Sequence, residues 1–114
     1  MKLIKKMFMV MSVMIMLVVV GCSNTPAGPS ENDALAQCLT EQGAVMYGTE
    51  WCSHCKNQKA SFGNSFQYIN YVDCDKNGAA CDAAGVTGYP TWVVNGQNYP
   101  GAQQLGRLAS LAGC

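Results

Sequence analysis

Two cysteines separated by two residues are the clearest candidates for chemistry in this chain. Cys52 and Cys55 belong to the segment Trp51-Cys52-Ser53-His54-Cys55, which follows a short apolar run and precedes a stretch with helical spacing. A cysteine placed where a strand ends and a helix begins lies beside unpaired helix N–H groups, which stabilise a thiolate. Cys55, one turn later, would face the same side and could attack a mixed disulfide on Cys52. The sequence therefore predicts a redox pair in which Cys52 is exposed and Cys55 is shielded.

The same spacing is also compatible with a structural disulfide or with half of a zinc site. Zinc ribbons usually carry a second C-x-x-C about 15–20 residues further on, whereas here Cys74 and Cys81 follow with six residues between them. His54 is the single histidine of the chain and lies inside the motif, so we expect no metal. It would place a donor or a positive charge near the sulfur, which makes the disulfide form a better oxidant, or it is a solvated surface residue.

The first thirty residues differ in composition from the rest and predict export. Three lysines precede an apolar run that ends at Val20, which is the layout of a secretory signal. The junction Val19-Val20-Gly21-Cys22 resembles a bacterial lipobox and implies a lipid on Cys22. We expect a lipoprotein signal peptide over residues 1–21, a flexible tether over residues 22–30 and one domain over residues 31–114. An ordinary cleaved signal and an uncleaved short anchor are the alternatives.

Charge and cysteine content narrow the partners and the compartment. Beyond residue 21, four basic against seven acidic side chains leave a net charge of −3. We therefore expect no nucleic-acid partner, because no basic surface remains to bind a phosphate backbone. Seven cysteines in so short a chain indicate an oxidising compartment. The protein would be exported and lipid-anchored to a bacterial membrane, in the periplasm or at the cell surface.

The elements that must position Cys52 and Cys55 follow from hydrophobic spacing and turn residues. Asn95-Gly96 predicts a two-residue hairpin turn. Apolar spacing predicts helices between Ser30 and Gly43, after Cys52 to about Phe62, within residues 76–84 and from Ala102 onward, and strands at residues 44–49, 68–73, 91–94 and 97–99. This order predicts an α/β fold with a mixed central sheet of about four strands and helices on both faces.

A second motif, Tyr89-Pro90-Thr91, lies directly before a predicted strand. Together with the C-x-x-C segment it resembles the thioredoxin superfamily, in which this proline is cis and faces the cysteine pair. The resemblance implies a thioredoxin-like fold, a role for Pro90 in shaping the site, and substrate contacts for Trp51, Tyr89 and Thr91. A trans proline that begins a strand is the alternative. The first thioredoxin strand has no counterpart in the pattern, so we expect it to be missing.

Residues 44–59 and 85–96 resemble more narrowly the thioredoxin-like partner of vitamin K epoxide reductase homologues. This likeness implies a disulfide carrier that oxidises the thiols of exported proteins. A membrane vitamin K epoxide reductase homologue linked to a quinone would reoxidise it. No cofactor is implied beyond the redox-active Cys52–Cys55 disulfide and the lipid on Cys22.

One departure from the thioredoxin pattern bears on the direction of electron flow. Ordinary thioredoxins carry a buried aspartate at the position of Met46, and no carboxylate except that of Glu50 is near it in this sequence. This difference argues against a thioredoxin-style cytosolic reductase. An exported reductase or isomerase of the same fold stays open, as does a non-catalytic interaction module.

The remaining cysteines are expected to be structural. Cys74 and Cys81 flank a short loop, and the resemblance implies a cysteine pair in this region. By elimination, Cys38 would then pair with Cys114. Because the first and last helices of a full thioredoxin lie on opposite faces of the sheet, this pairing needs the C-terminus to wrap around an edge. Two unpaired thiols and a second electron relay are the alternatives.

Overall fold

The computed structural model describes residues 30–114. The predicted signal peptide, the predicted lipidation at Cys22 and the predicted tether up to residue 29 all lie outside the described residues. In the described part, no helix has both the length and the apolar character needed to cross a membrane.

Helices and strands alternate along the described chain. The elements are α1 (Asp33–Glu41), β1 (Val45–Gly48), α2 (Ser53–Phe62), a 3₁₀ helix (Gly63–Tyr68), β2 (Tyr71–Asp73), α3 (Gly78–Ala83), β3 (Thr91–Val94), β4 (Gln97–Pro100) and α4 (Leu105–Ala112). The predicted thioredoxin-like α/β class is confirmed by this order. A helix is the first element of residues 30–114, in line with the expected absence of the first thioredoxin strand.

The four strands form one mixed sheet in the order β2-β1-β3-β4. β1 runs parallel to β2 and antiparallel to β3, and β3 pairs with β4 in a hairpin. The hairpin turn lies at Asn95 and Gly96, whose φ angles of 51° and 77° are both positive. This is the backbone geometry that Asn-Gly favours between two strands, because its twist matches theirs. The predicted turn is therefore confirmed.

The second strand is shorter than the sequence indicates. Residues 68–73 were expected to be extended, but Tyr68 ends the 3₁₀ helix and only residues 71–73 pair with β1. The reason is tertiary: the Thr40 hydroxyl donates a 2.6 Å hydrogen bond to the Tyr68 carbonyl, and the Ile69 N–H bonds to the Phe66 carbonyl. These contacts satisfy backbone groups that a longer strand would have used.

The hydrophobic core is built on one face of β1 and β3. Met46 pairs with Trp92 across the two strands, and Val94, two residues on, shares that face. All three are buried in a cluster with side chains from three helices, among them Leu39, Phe62 and Leu108. The active-site helix α2 is therefore fixed against the sheet through its last turn.

Gln58 is a buried polar residue that ties α2 to its neighbours. Its Oε1 accepts hydrogen bonds from the Trp92 indole N–H at 3.0 Å and from the Gln103 backbone N–H at 2.6 Å. Its amide nitrogen donates to the Gln103 carbonyl at 3.0 Å. Because these groups are satisfied by one side chain, α2, β3 and the segment before α4 keep a fixed relation.

Two disulfides join the remaining cysteines. Cys74 is bonded to Cys81, which links the end of β2 to α3, and Cys38 is bonded to Cys114, which links α1 to the C-terminus. These are the two pairs expected from the sequence. The route differs from expectation, because α1 and α4 contact each other and contribute to the same core cluster. The C-terminus reaches Cys38 directly and does not wrap around an edge of the sheet.

Candidate active site

Cys52 is the N-cap residue of α2. Its backbone is extended, with φ −71° and ψ 120°, and its sulfur accepts a 3.1 Å hydrogen bond from the Cys55 backbone N–H. An N-cap side chain normally supplies an oxygen for this unpaired N–H, so here a sulfur takes that place. A thiolate at this position accepts a backbone donor and lies at the positive end of the helix dipole.

The Tyr89–Pro90 peptide bond is cis and faces the Cys52 sulfur. The Cys52 thiol lies 3.5 Å from the Tyr89 carbonyl oxygen, to which it donates. The structure thus brings together the two motifs that are 37 residues apart in the sequence. Pro90 is fully buried, so it fixes the shape of the wall opposite Cys52.

The expected contrast in exposure between the two cysteines is only partly present. Cys55 is fully buried at 0%, but Cys52 is also buried, with 7% of its surface exposed. The expectation of an exposed Cys52 is therefore wrong in degree. The cause is the Tyr89 carbonyl and the first turn of α2, which both contact the sulfur.

Cys55 lies directly on the backbone of β1. A Cβ atom built on Gly48 would lie 2.8 Å from the Cys55 sulfur and 3.4 Å from Cε2 of Tyr71. Only glycine permits this approach, since real Cβ atoms do not come so close to a neighbouring atom. Both cysteines are free thiols in the structure.

Burial raises the pKa of the Cys55 thiol to about 11, and its interaction with the Cys52 side chain adds to the rise. The Thr49 backbone and the positive charge of Lys59 oppose this change. In the resting dithiol at neutral pH, Cys55 is therefore protonated. It becomes a nucleophile or a leaving group only when something stabilises its anion.

Two aromatic rings flank the approach to Cys52. Trp51 is 66% exposed, and its ring meets the partly exposed Tyr89 ring edge to face at 6.0 Å between centroids. The Trp51 indole N–H donates a 2.9 Å hydrogen bond to Asp75, which holds the ring in place. The pair forms an exposed apolar surface beside the sulfur.

The surroundings of Thr91 differ from those expected, and those of His54 are compatible with either of its two interpretations. The Thr91 side chain is buried, and its hydroxyl donates a 2.8 Å hydrogen bond to the Gly88 carbonyl. This hydroxyl therefore supports the turn before β3, and a substrate contact through the side chain is ruled out by its burial. His54 is exposed on α2, and within residues 30–114 its ring takes part in no hydrogen bond.

Several residues of the site were not singled out from the sequence. Gly48 makes the close approach to Cys55, Asp75 orients Trp51, and Lys59 lies four residues after Cys55 on the same helix. The i to i+4 spacing of Cys55 and Lys59 was the one available signal, because such residues share a helix face. The other two contacts depend on how strands and loops meet.

The described residues contain no candidate metal centre. Between Ser30 and Cys114, no group of three or more His, Cys, Asp or Glu side chains is arranged to hold a metal ion. The two cysteines of the motif lie instead against a proline, a tyrosine carbonyl and the strand backbone. This arrangement suits exchange between sulfur atoms.

Comparison with known proteins identifies relatives that are named as thiol-disulfide oxidoreductases or protein disulfide isomerases. The chain is 40% identical over 89 residues to the thiol-disulfide oxidoreductase LTO1 of Arabidopsis thaliana, covering 70% of this chain and 24% of that protein. It is 35% identical over 71 residues to protein disulfide isomerase-like 2-2 of Oryza sativa subsp. japonica, covering 53% of this chain and 19% of the relative. The chain thus spans about a quarter or less of these relatives.

Among solved structures, the solution structure of the oxidised thioredoxin from Plasmodium falciparum matches with a TM-score of 0.46 and 22% identity, covering 74% of this chain and 88% of that one. The family model described as Thioredoxin matches residues 31–112, which include both motifs of the site and every described helix and strand. The chain belongs to the thioredoxin family.

Proposed function

We propose that this domain catalyses thiol–disulfide exchange, with Cys52 as the attacking sulfur and Cys55 as the resolving sulfur. The observation that carries the proposal is the position of the Cys52 sulfur, which accepts the Cys55 N–H at the start of α2 and faces the cis Tyr89–Pro90 peptide. The high pKa of Cys55 supports the same division of roles, since Cys55 stays protonated while Cys52 reacts first.

In the oxidising direction, a substrate thiolate attacks the Cys52 sulfur of the Cys52–Cys55 disulfide. That bond breaks, Cys55 leaves as a thiolate and takes a proton, and the substrate is joined to Cys52 as a mixed disulfide. A second substrate thiolate then attacks the substrate sulfur of this bond and releases Cys52. Two electrons and two protons pass from the substrate dithiol to the protein, and the steps in reverse reduce a disulfide.

The surface around Cys52 suits an extended, unfolded polypeptide. Trp51 and Tyr89 offer apolar ring faces to side chains next to a substrate cysteine. Backbone groups of Tyr89 lie at the cis peptide, beside the sulfur that would carry the mixed disulfide. We propose Trp51 and Tyr89 as the substrate-contacting residues, with Pro90 and Thr91 shaping the wall behind them.

We further propose that the protein is exported, is lipid-anchored through Cys22 and carries disulfides to exported proteins. The basic and apolar N-terminal segment and the Val-Val-Gly-Cys junction support export and anchoring. The likeness of residues 44–59 and 85–96 to partners of vitamin K epoxide reductase homologues supports reoxidation by a quinone-linked membrane enzyme of that class. Two experiments would test this part. Membranes that contain such an enzyme should reoxidise the reduced Cys52–Cys55 pair, and Cys22→Ala in cells should abolish both the membrane anchoring and this reoxidation.

The exchange activity is tested with purified protein and a reduced, unfolded polypeptide. Oxidised protein should transfer its disulfide, and Cys52→Ala should abolish the transfer. Cys55→Ala should leave mixed disulfides on Cys52 that persist, because the resolving thiol is absent. Ser53→Ala is the matched control, since Ser53 is exposed within the same motif. Failure of the oxidised wild-type protein to oxidise the polypeptide, with its Cys52–Cys55 bridge verified, would rule out the proposal.

A reductase or isomerase is the second candidate, favoured by the relatives named as protein disulfide isomerases. The reduction potential of Cys52–Cys55 separates an oxidase from a reductase: a value near or above about −200 mV favours oxidation, and one near about −270 mV favours reduction. An isomerase would instead be recognised by its rearrangement of wrongly paired disulfides. We propose that His54, between the cysteines, stabilises the thiolate. His54→Leu should then make the pair more reducing, and an unchanged potential would assign His54 to the solvated surface.

A further inference from the structure

A lysine lies on the same face of α2 as the buried cysteine. Lys59 follows Cys55 by four residues, so the two side chains are neighbours on the helix. Its Nζ is 2.9 Å from Glu50 Oε1 and 4.1 Å from the centroid of the Tyr71 ring. The Lys59 side chain is 23% exposed and that of Glu50 is 64% exposed. The ammonium is thus held in place by a partner and a ring face.

This lysine is connected to Cys55 through one aromatic ring. The Cys55 sulfur and the Tyr71 ring both pack on Gly48, and Lys59 covers the face of that ring. Among residues 30–114 the buried Tyr71 hydroxyl has no hydrogen-bond partner. Burial raises the pKa of Tyr71, and the negative charge of Glu50 raises it further. The titratable and charged groups that act on Cys55 and Tyr71 are Cys52 at the N-cap of α2, Lys59 on α2, Glu50 in the turn before it, and Asp73 on β2. His54 and Lys56, the chain neighbours of Cys55, are exposed.

The exchange reaction needs negative charge on Cys55 at a place where no water reaches it. Its sulfur is fully buried, and a buried thiolate is disfavoured unless a positive charge or a donor compensates. Position 46, where thioredoxins carry an acid, is a buried methionine in this chain. The Thr49 backbone and, to a smaller extent, the positive charge of Lys59 lower the pKa of Cys55 against the effect of burial.

We propose that Lys59, held by Glu50 over the Tyr71 ring, is a positioning residue that stabilises the Cys55 thiolate during exchange. This inference rests on the proposed function. When the mixed disulfide is resolved, the Cys55 thiolate attacks the Cys52 sulfur, the Cys52–Cys55 bond forms and the bond to the substrate breaks. The substrate sulfur leaves and takes the proton that Cys55 gave up. In the opposite direction, Cys55 is the leaving thiolate beside the same ammonium.

The resting state of Cys55 gives this role a distinctive signature. Because Cys55 is a neutral thiol in the reduced pair at neutral pH, Lys59 stabilises a transient anion and not the resting dithiol. Loss of the charge should therefore slow resolution and leave the reduction potential unchanged. A residue that merely supported the fold would not separate the two quantities.

The magnitude follows from the loss of one nearby positive charge. Opposite charges at close range shift a pKa by about 1–3 units, and we take about one unit, the low end, because Lys59 has the smallest effect among the groups that act on the pKa of Cys55. A rise of about one unit cuts the thiolate fraction about tenfold, while the more basic sulfur is about threefold more nucleophilic. The net expectation is resolution about threefold slower at neutral pH.

In the experiment, the reduced protein is mixed with an aromatic disulfide, and the coloured aromatic thiolate that is released on reaction is followed by its absorbance. Attack by Cys52 releases one aromatic thiolate, and resolution by Cys55 releases a second in a separate phase. Lys59→Met, which keeps the aliphatic stem, should slow only the second phase and shift the pH dependence of its rate to higher pH. Lys59→Arg should restore it. Lys56→Met removes the same charge from an exposed neighbour of Cys55 and should leave both phases unchanged.

The outcomes distinguish a failure of this inference from a failure of the proposed exchange function. Two normal phases in Lys59→Met would overturn the role of Lys59 and leave the exchange activity standing. A wild-type protein that shows no second phase would count against the proposed function itself. Tyr71→Phe keeps the ring under Lys59 and should behave as wild type. If Tyr71→Phe slows the second phase and Lys59→Arg fails to restore it, the tyrosine hydroxyl is the group that serves Cys55, and the proposal is wrong.

Discussion

Replacement of Gly48 by alanine tests the packing on which the active site rests. The added Cβ would lie 2.8 Å from the Cys55 sulfur, 3.6 Å from Cys55 Cβ and 3.4 Å from the Tyr71 ring. Comfortable contacts between such atoms are about 3.5–4.0 Å, so the sulfur contact is too short by roughly 1 Å. Cys55 cannot turn away, because it is fully buried in the first turn of α2. Overpacking of this kind typically lowers the free energy of unfolding by about 1–3 kcal/mol.

The assay is denaturant unfolding of the reduced protein, with the unfolding free energy compared between Gly48→Ala and the wild type. Gly106→Ala is the matched control, since a Cβ on Gly106 in α4 would meet no atom within 4 Å. That control should be stabilised by about 0.4–1 kcal/mol, because alanine restricts the unfolded chain. A Gly48→Ala protein as stable as the wild type would refute the reasoning, since it would mean that α2 moves freely away from β1.

Three further predictions concern stability. Gln58→Leu leaves the buried Trp92 N–H and the partly buried Gln103 N–H without their acceptor, and should lower the unfolding free energy by about 2–4 kcal/mol in denaturant titrations. A loss below that range would mean that water replaces the amide. Because burial raises the pKa of Cys55 from 9.0 to about 11, its contribution to the stability of the reduced protein is complete below pH 9.0 and is lost as the pH rises towards 11. The oxidised protein, in which Cys55 does not titrate, should lose less stability across this range when unfolding midpoints are compared. Its remaining loss, above pH 10.0, comes from Tyr71, whose pKa is also raised by burial. Replacing Cys38 and Cys114 together by serine opens a bridge between residues 76 apart and should lower the unfolding free energy by about 4–5 kcal/mol, measured by thermal or denaturant unfolding; a midpoint equal to that of the wild type would contradict this.

Features encoded by adjacent residues were predictable from the sequence. The C-x-x-C motif after a strand specified Cys52 as the start of a helix, because the spacing and the change of period are local. Asn95-Gly96 specified the hairpin, because few other residue pairs adopt two positive φ angles without strain. The order of helices and strands then specified the thioredoxin-like α/β class.

The chain also predicted which cysteines pair, but not how they meet. The pairing followed from the even number of cysteines and from the likeness to a family. The direct contact of α1 with α4 did not, because helix packing sums many weak contacts between distant residues. The predicted start of β2 was wrong for a similar reason, since the Thr40 hydroxyl that bonds to the Tyr68 carbonyl comes from another element.

What the sequence determined by itself was which two sulfurs are the candidates for exchange and which framework presents them. What only the tertiary structure decided was their environment: the Tyr89 carbonyl over Cys52, the bare backbone of Gly48 under Cys55, and the lysine held over a neighbouring ring. The physical reason is that the chemistry of a thiol depends on burial and on charges within a few ångströms. Those neighbours come from strands and turns that are far apart in the chain, so their distances exist only once the chain has folded.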